Sequence, residues 1–331
     1  MDLLNVTSVS IAVIDQNKLA LACAFGRDAT PATLYQAASL SKLVAAVTAL
    51  RLVEQDHLDL DADVATELRS WQLRQSELTK GHPVTLRGLL SMTAGIGVPF
   101  YTGYEPGEPL PDLNQILDGM PPARSQPVRV ERLPGSYTYS GGSFEIVEAL
   151  IRDAAGAPFA KAADDLVLRP MGMDDSLFVQ PLSAQRLKQA AIGHHGDGDP
   201  LPGGSRVEPA LAAAGLWTTP SDLARLLIDL SASYRGELGH LLKPSTTLVM
   251  FSRQNGGPYG LGGAISGAGK SLVLMKRGQN VGFQCYLLIF PEAGQGMVVM
   301  TDSDHGSTLA DAMIRRAGAV YRWPPLGELL D

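Results

Sequence analysis

Three short segments carry residues whose types and spacing can do acyl-transfer chemistry. Ser39-Leu40-Ser41-Lys42 sets a hydroxyl and an amine three residues apart. On a helix that spacing puts both on one face, within reach of each other. The field at a helix N-terminus favours developing negative charge at Ser39 and disfavours an ammonium on Lys42. Burial lowers a lysine pKa further, as a general base for a serine nucleophile requires. Alone, the segment also reads as an N-cap serine followed by a solvated lysine, although it is the only Ser-x-x-Lys in the chain. Tyr137-Thr138-Tyr139-Ser140-Gly141-Gly142 offers a second group, because a tyrosine beside a cationic lysine is held partly as phenolate and can shuttle a proton. By itself it is two aromatic residues packing a turn. Lys276-Arg277-Gly278-Gln279 is the third: Gly278 lets a ligand approach the backbone, and the basic side chains suit an anionic substrate group. By itself it is an edge strand carrying solvated charges.

The elements that must position these residues follow from the apolar pattern. Residues 8–15 and 18–26 alternate as two strands joined by Asp15-Gln16-Asn17-Lys18. A helix is predicted from Ser39 to Gln55, with Leu43, Val47, Leu50 and Val53 at helical spacing and Ala45, Ala46 and Ala49 permitting close packing. Two further helices are predicted over Leu86–Ser91, capped by Thr85, and Ser143–Ala155. Between them residues 97–128, rich in Pro, Gly and aromatics, read as one long binding wall or lid. Thr219-Pro220-Ser221-Asp222 starts another helix with a capping-box-like pair. Strands are then expected at Gly260–Ile265, Ser271–Met275, Gly282–Phe290 and Met297–Thr301, before a terminal helix over 307–321. Short turns between strands make the sheet largely antiparallel. The fold class is therefore α+β. Residues 1–60 and 205–331 supply the sheet region from both termini, and 61–204 form an inserted, mainly helical region with long active-site loops.

Composition narrows the function classes. A 45% hydrophobic and 18% charged chain of 331 residues is globular and long enough to bury a sizeable core. The net charge of −7, without any Lys/Arg run, argues against a nucleic-acid partner. The start of the chain lacks the charged, apolar and small-residue stretches of a secretory signal. No apolar run reaches the roughly 18 residues of a membrane span. A soluble cytoplasmic protein is the expectation, with no membrane contact. Cys23 and Cys285 lie in apolar strand runs and read as buried thiols. His194 and His195, with Asp197 and Asp199, sit among glycines and prolines and read as a solvated loop, so no metal and no cofactor is expected. His305, near Asp302 and Asp304, could face the rim of the site.

Taken in order, the three segments resemble the serine β-lactamases, D-Ala-D-Ala carboxypeptidases and related esterases, whose signature is Ser-x-x-Lys, then Tyr-x-Asn or Ser-x-Asn, then a Lys-Thr-Gly-like triad. The chain has no Ser-x-Asn, so it is more similar to the tyrosine-using branch of class C β-lactamases, peptidases and esterases. Leu89-Leu90-Ser91-Met92-Thr93-Ala94-Gly95, Leu168-Arg169-Pro170-Met171-Gly172-Met173, Ala214-Gly215-Leu216-Trp217 and Gly278-Gln279-Asn280-Val281-Gly282-Phe283 extend the likeness over nearly the whole chain. It departs at Gly141, where the family has Asn, and at Arg277, where β-lactamases have Thr.

The resemblance implies a β-lactamase/transpeptidase-like fold and a two-step reaction through an acyl-enzyme. Ser39 would be the nucleophile, with Lys42 and Tyr139 sharing its proton. The backbone N–H groups of Ser39 and Gln279 would form the oxyanion hole. Lys276, Arg277, Gly278 and Gly141 would line the substrate, a small ester or amide that could carry an anionic group. Tyr101 and Tyr104, in the long loop, read either as lining the acyl pocket or as packing within that loop. An esterase-type member is the leading expectation. The alternatives are a β-lactamase or D-amino-acid peptidase and, from another class, a binding or assembly protein that has kept the fold. Oligomeric state is not legible in the sequence.

Overall fold

Apolar alternation at the start of the chain produces a hairpin in the computed structural model, which describes residues 1, 4–26, 28–238 and 241–325. Strands β1 (Ser8–Asp15) and β2 (Lys18–Gly26) pair antiparallel about Gln16 and Asn17, both at positive φ. After the short pair β3 (Tyr35–Gln36) and β4 (Trp217–Thr218) come β5 (Ala264–Ser266), β6 (Val273–Asn280), β7 (Phe283–Phe290) and β8 (Gln295–Thr301). The main sheet runs β2-β1-β8-β7-β6-β5, antiparallel at every step, so chain segments from both ends share one sheet.

The helices are α1 (Ser41–Glu54), α2 (Val64–Glu67), α3 (Leu86–Leu90), α4 (Leu113–Asp118), α5 (Gly142–Ala155), α6 (Phe159–Ala163), α7 (Ala184–Leu187), α8 (Leu211–Ala214), α9 (Pro220–Tyr234), α10 (Pro244–Met250) and α11 (Gly306–Tyr321). Period-two alternation divides the strands between two cores. Val9, Ile11, Val13, Tyr286, Leu288 and Phe290 face α11. Ala12, Ile14, Phe283, Cys285, Leu287 and Ile289 face the larger core around α1 and α5. Helix α1 is buried almost all round, with only Arg51, Val53 and Glu54 partly exposed, because it runs through the middle of that core.

The structure departs from the sequence expectations at several elements. The α-helix begins at Ser41 and not at Ser39, which belongs to a 3₁₀ turn over Ala38–Leu40. The late strands are displaced: β5 occupies 264–266, and β6 starts at Val273 but continues through Asn280. The polar end of β6 is tolerated because Lys276 finds phenol partners and Gly278 packs on backbone. The loop over 97–128 contains α4, closed by a reciprocal capping box between Asp112 and Gln115, a signal the sequence did contain. Thr219 caps α9 by accepting from the Asp222 N–H. The Asp222 carboxylate instead accepts from Ser176 and from the Asp175 N–H, so the capping box is not completed. Cys285 is buried and Cys23 half-buried on the sheet edge, both as free thiols.

Candidate active site

The turn that carries Ser39 is held by short contacts from two sides. Ala38, directly before it, sits in the left-handed region at φ 48°, a conformation that costs an L-residue about 1–2 kcal/mol. Ser41 Oγ donates to the Ala38 carbonyl at 2.5 Å and accepts from the Leu216 N–H at 3.0 Å, and the Ala37 N–H donates to the Leu216 carbonyl. On the other side β6 passes so close that a Cβ at Gly278 would stand 2.4 Å from the Ala37 carbonyl oxygen and 3.2 Å from the Ser39 nitrogen. Gly278 is thus needed first for backbone against backbone at the Ser39 turn. Gly278→Ala should therefore push β6 off the turn and lower the rate of Ser39 acylation by about 10²-fold with native-like folding by circular dichroism. An unchanged acylation rate would show that the close approach is not needed.

Ser39 Oγ receives two partners. Lys42 Nζ donates to it at 3.0 Å, and Tyr139 O–H donates at 2.8 Å. When the phenol is ionised the latter contact reverses, with Ser39 donating. Lys42 is only 2% exposed and also donates to the Ala213 carbonyl at 2.6 Å. Burial, reinforced by the Lys276 charge and opposed by Tyr139, lowers its pKa below the usual lysine value, favouring a neutral amine. For Tyr139 burial pushes the phenol up. The positive charges of Lys42 and Lys276 and the hydrogen bonds from Ser39 and Lys276 outweigh it and bring the pKa down to about 7.

Lys276 is buried, and its ammonium donates to Tyr259 at 3.1 Å and to Tyr139 at 3.4 Å, close over both rings. Burial disfavours this charge, but the two phenol oxygens outweigh it and hold the lysine above its ordinary range. Two of these partners carry no sequence signal: Tyr259 lies in the glycine-rich stretch 256–263, and the Ala213 carbonyl is a backbone atom.

Ser39, Tyr139, Tyr259, Lys276, Arg277, Gly278 and Gln279 line one groove of roughly 940 Å³, whose walls include Phe100, Tyr101 and Tyr286. Strand β5 pairs with Val273–Met275, and Lys276–Asn280 beyond it line this groove. Arg277 stacks on the Tyr286 ring and stands 3.9 Å from Asp311. Tyr101 belongs to the groove wall, but Tyr104 does not. Its hydroxyl donates to the Pro122 carbonyl and accepts from the Arg124 N–H, packing the loop beside a separate cavity of roughly 90 Å³. A side chain at position 141 would be tight: a Cβ there would lie 3.1 Å from both the Pro99 carbonyl oxygen and Tyr101 Cε2. The Tyr101 ring is thus packed against position 141.

The histidine-containing segments lie outside this groove or at its rim. His195 approaches Asp304, a groove residue, at 3.6 Å, and the His305 ring packs over Gly196. No cluster suited to a metal is found among the described residues. A larger surface depression of roughly 1030 Å³ includes Thr7, His194 and Asp302. The Asp302 carboxylate there is already engaged by Ser8 and Thr7, and no activated nucleophile faces it among the described residues. No helix of the described residues is long and apolar enough to cross a membrane.

The family model described as Beta-lactamase matches residues 2–321. The chain belongs to the β-lactamase family. Among curated relatives it is similar to the esterase EstB of Burkholderia gladioli, 31% identical over 53% of this chain and 45% of that protein. It is also similar to a D-aminopeptidase of Gluconobacter oxydans, 24% identical over 89% of this chain and 54% of that one. The chain thus spans about half the length of these two relatives. The fold of this β-lactamase-family chain matches a β-lactamase/D-alanine carboxypeptidase from Yersinia pestis, with TM-score 0.73, 20% identity and coverage of 96% and 94% of the two chains. It also matches an octameric penicillin-binding-protein homologue from Pyrococcus abyssi, with TM-score 0.72, 21% identity and coverage of 99% and 76%.

Proposed function

We propose that this β-lactamase-family protein is a serine hydrolase that cleaves small carboxylic esters through an acyl-enzyme on Ser39. The observation that carries the reading is Ser39 Oγ held between Lys42 Nζ and Tyr139 Oη, at 3.0 and 2.8 Å, at the floor of an open groove. Neutral Lys42 and the easily ionised Tyr139 remove the Ser39 proton as the oxygen attacks the ester carbonyl. The backbone N–H groups of Ser39 and Gln279 receive the developing oxyanion, and loss of one such donor typically costs about 10²–10³ in rate. Tyr139 returns the proton to the leaving alcohol and then activates the water that releases the acid. Lys276 keeps Tyr139 ionisable, and an anionic end of the substrate would meet Arg277 on the groove wall.

The preference for esters over β-lactams rests on position 141. The amide side chain that the resemblance places near the substrate carbonyl is absent, and the Tyr101 ring packs against Gly141. The wall so formed is aromatic, with Phe100 70% exposed beside it, and suits an apolar acyl group better than an acylamino one. The likeness to EstB, named an esterase, supports the same reading. Turnover of p-nitrophenyl acetate and butyrate, nitrocefin and a D-alanyl-D-alanine peptide, measured on one preparation, tests it. The expected result is ester turnover exceeding the other two by about 10²-fold or more in kcat/KM, because a site lacking a hydrogen-bonding group gains little from an amide substrate. Nitrocefin or peptide turnover above that of the esters would replace this reading with the β-lactamase or peptidase alternative.

A further inference from the structure

Three glutamates are buried beside Lys42 and the helix α8: Glu145 (0% exposed), Glu148 (5%) and Glu208 (3%), the last lining the small cavity that shares Phe100 and Tyr101 with the groove. None takes part in the acyl-transfer steps, and three carboxyl groups in a core carry a large desolvation cost. Two of them hold the short helix α8. Glu148 accepts from the Ala212 N–H at 2.8 Å, and Glu208 accepts from the Ala210 N–H at 3.3 Å. The next carbonyl along, that of Ala213, is the one that receives Lys42 Nζ at 2.6 Å. A continuous set of contacts therefore runs from Glu148 through Ala212 and Ala213 to Lys42 and Ser39. Glu145 lies one turn before Glu148 on α5. Its carboxyl makes no hydrogen bond of normal geometry among the described residues, and the Ala213 N–H is the donor that influences it.

We propose that Glu148 and Glu208 are positioning residues for Lys42, fixing the backbone that holds its amine and, through Glu208, supplying the nearby negative charge that stabilises its ammonium. When Lys42 takes the Ser39 proton, the bond broken is Ser39 Oγ–H and the bond formed is Lys42 Nζ–H. The glutamates exchange no proton in that step, and an ionised Glu208 offsets the new positive charge. The charged and titratable groups facing the trio are Lys42 from α1, Arg152 toward Glu148 from α5 itself, Arg206 and the Tyr104 hydroxyl toward Glu208, and the Tyr101 hydroxyl.

Burial raises Glu208 to about 7, with the Ala210 N–H, Lys42 and Arg206 pulling it part of the way back. Burial likewise raises Glu148 to about 7, opposed by the Ala212 N–H and Arg152. Glu145 is driven well above the carboxylate range by burial and then by its two neighbours, with Lys42 and the Ala213 N–H pulling it part of the way back. The cluster therefore becomes negative as pH rises through neutrality, where that charge can act on the lysine.

The test reads Lys42 directly. Protein carrying isotope-labelled lysine is titrated by NMR, with the Lys42 signal assigned from its absence in Lys42→Met. Glu208→Gln removes the carboxylate and keeps an acceptor for Ala210. The Lys42 midpoint is expected to fall by about one pH unit, and an unmoved midpoint in the folded variant overturns the electrostatic part. A second arm reads position through the rate of phosphonylation of Ser39 by a fluorophosphonate. Glu148→Ala should slow labelling by about tenfold or more. Glu148→Gln, which still accepts from Ala212, should recover most of that loss. Equal rates in wild type and Glu148→Ala overturn the positioning part. The labelling arm rests on Ser39 being the nucleophile, whereas the titration needs no substrate. A Lys42 shift in a protein that never labels would therefore sink the hydrolase reading and leave this one standing.

Discussion

Ser39→Ala is expected to lower ester turnover by about 10⁵-fold or more, leaving only the rate that substrate binding and the oxyanion hole supply. The reason is geometric: among the groove-lining side chains, Ser39 Oγ is the hydroxyl that meets both Lys42 and Tyr139. Lys42→Met should cost nearly as much, since it removes the amine that meets Ser39 Oγ. Because the two residues act as a unit, the double variant should be little worse than Ser39→Ala alone. Steady-state kinetics on the three variants, with stability followed by thermal unfolding, checks the pattern. Losses that multiply would mean that the lysine works somewhere other than on the serine.

Tyr139→Phe is expected to lower kcat/KM by about 10³-fold, within the usual range for a positioned proton-transfer group. It should also change the shape of the pH profile. The Tyr139 pKa is depressed to about 7, so its basic form is present above that pH and is lost as pH falls through it. The wild-type rate should consequently drop about tenfold per pH unit below neutrality. In Tyr139→Phe this limb should move to lower pH, because the phenol oxygen also raises the Lys42 pKa and its removal lets that pKa fall further. A limb that stays near 7 in the variant would assign the titration to another group. Glu148 and Glu208, both raised to about 7, would be the next to examine.

What the sequence disclosed depended on whether the signal was local. The β1–β2 hairpin, Thr85 and Thr219 as caps, and the span of α5 were readable because each is encoded within a few neighbouring residues. Ser39, Lys42 and Tyr139 were readable as types, and the structure brings them together. Their electrostatics were not readable, since Lys276 and Tyr259 meet Tyr139 only through tertiary packing. Gly278 looked like a ligand-facing glycine, yet its nearest neighbour is the Ala37 carbonyl, a contact between segments some 240 residues apart. Tyr104 failed as a groove residue for a similar reason: its loop folds back on Pro122 and Arg124, and nothing local distinguishes it from Tyr101. Glu145 and Glu148 are buried because α5 is enclosed on every side over residues 142–151, a consequence of tertiary packing.

Peptide mapping by mass spectrometry after treatment with a fluorophosphonate tests the central claim most directly. A single adduct is predicted, on the peptide containing Ser39, and it should be absent in Lys42→Met over the same labelling time. No adduct on the folded protein, or an adduct on a different serine, would contradict the assignment of Ser39 as nucleophile and favour a protein that keeps the fold of the β-lactamase family without its chemistry.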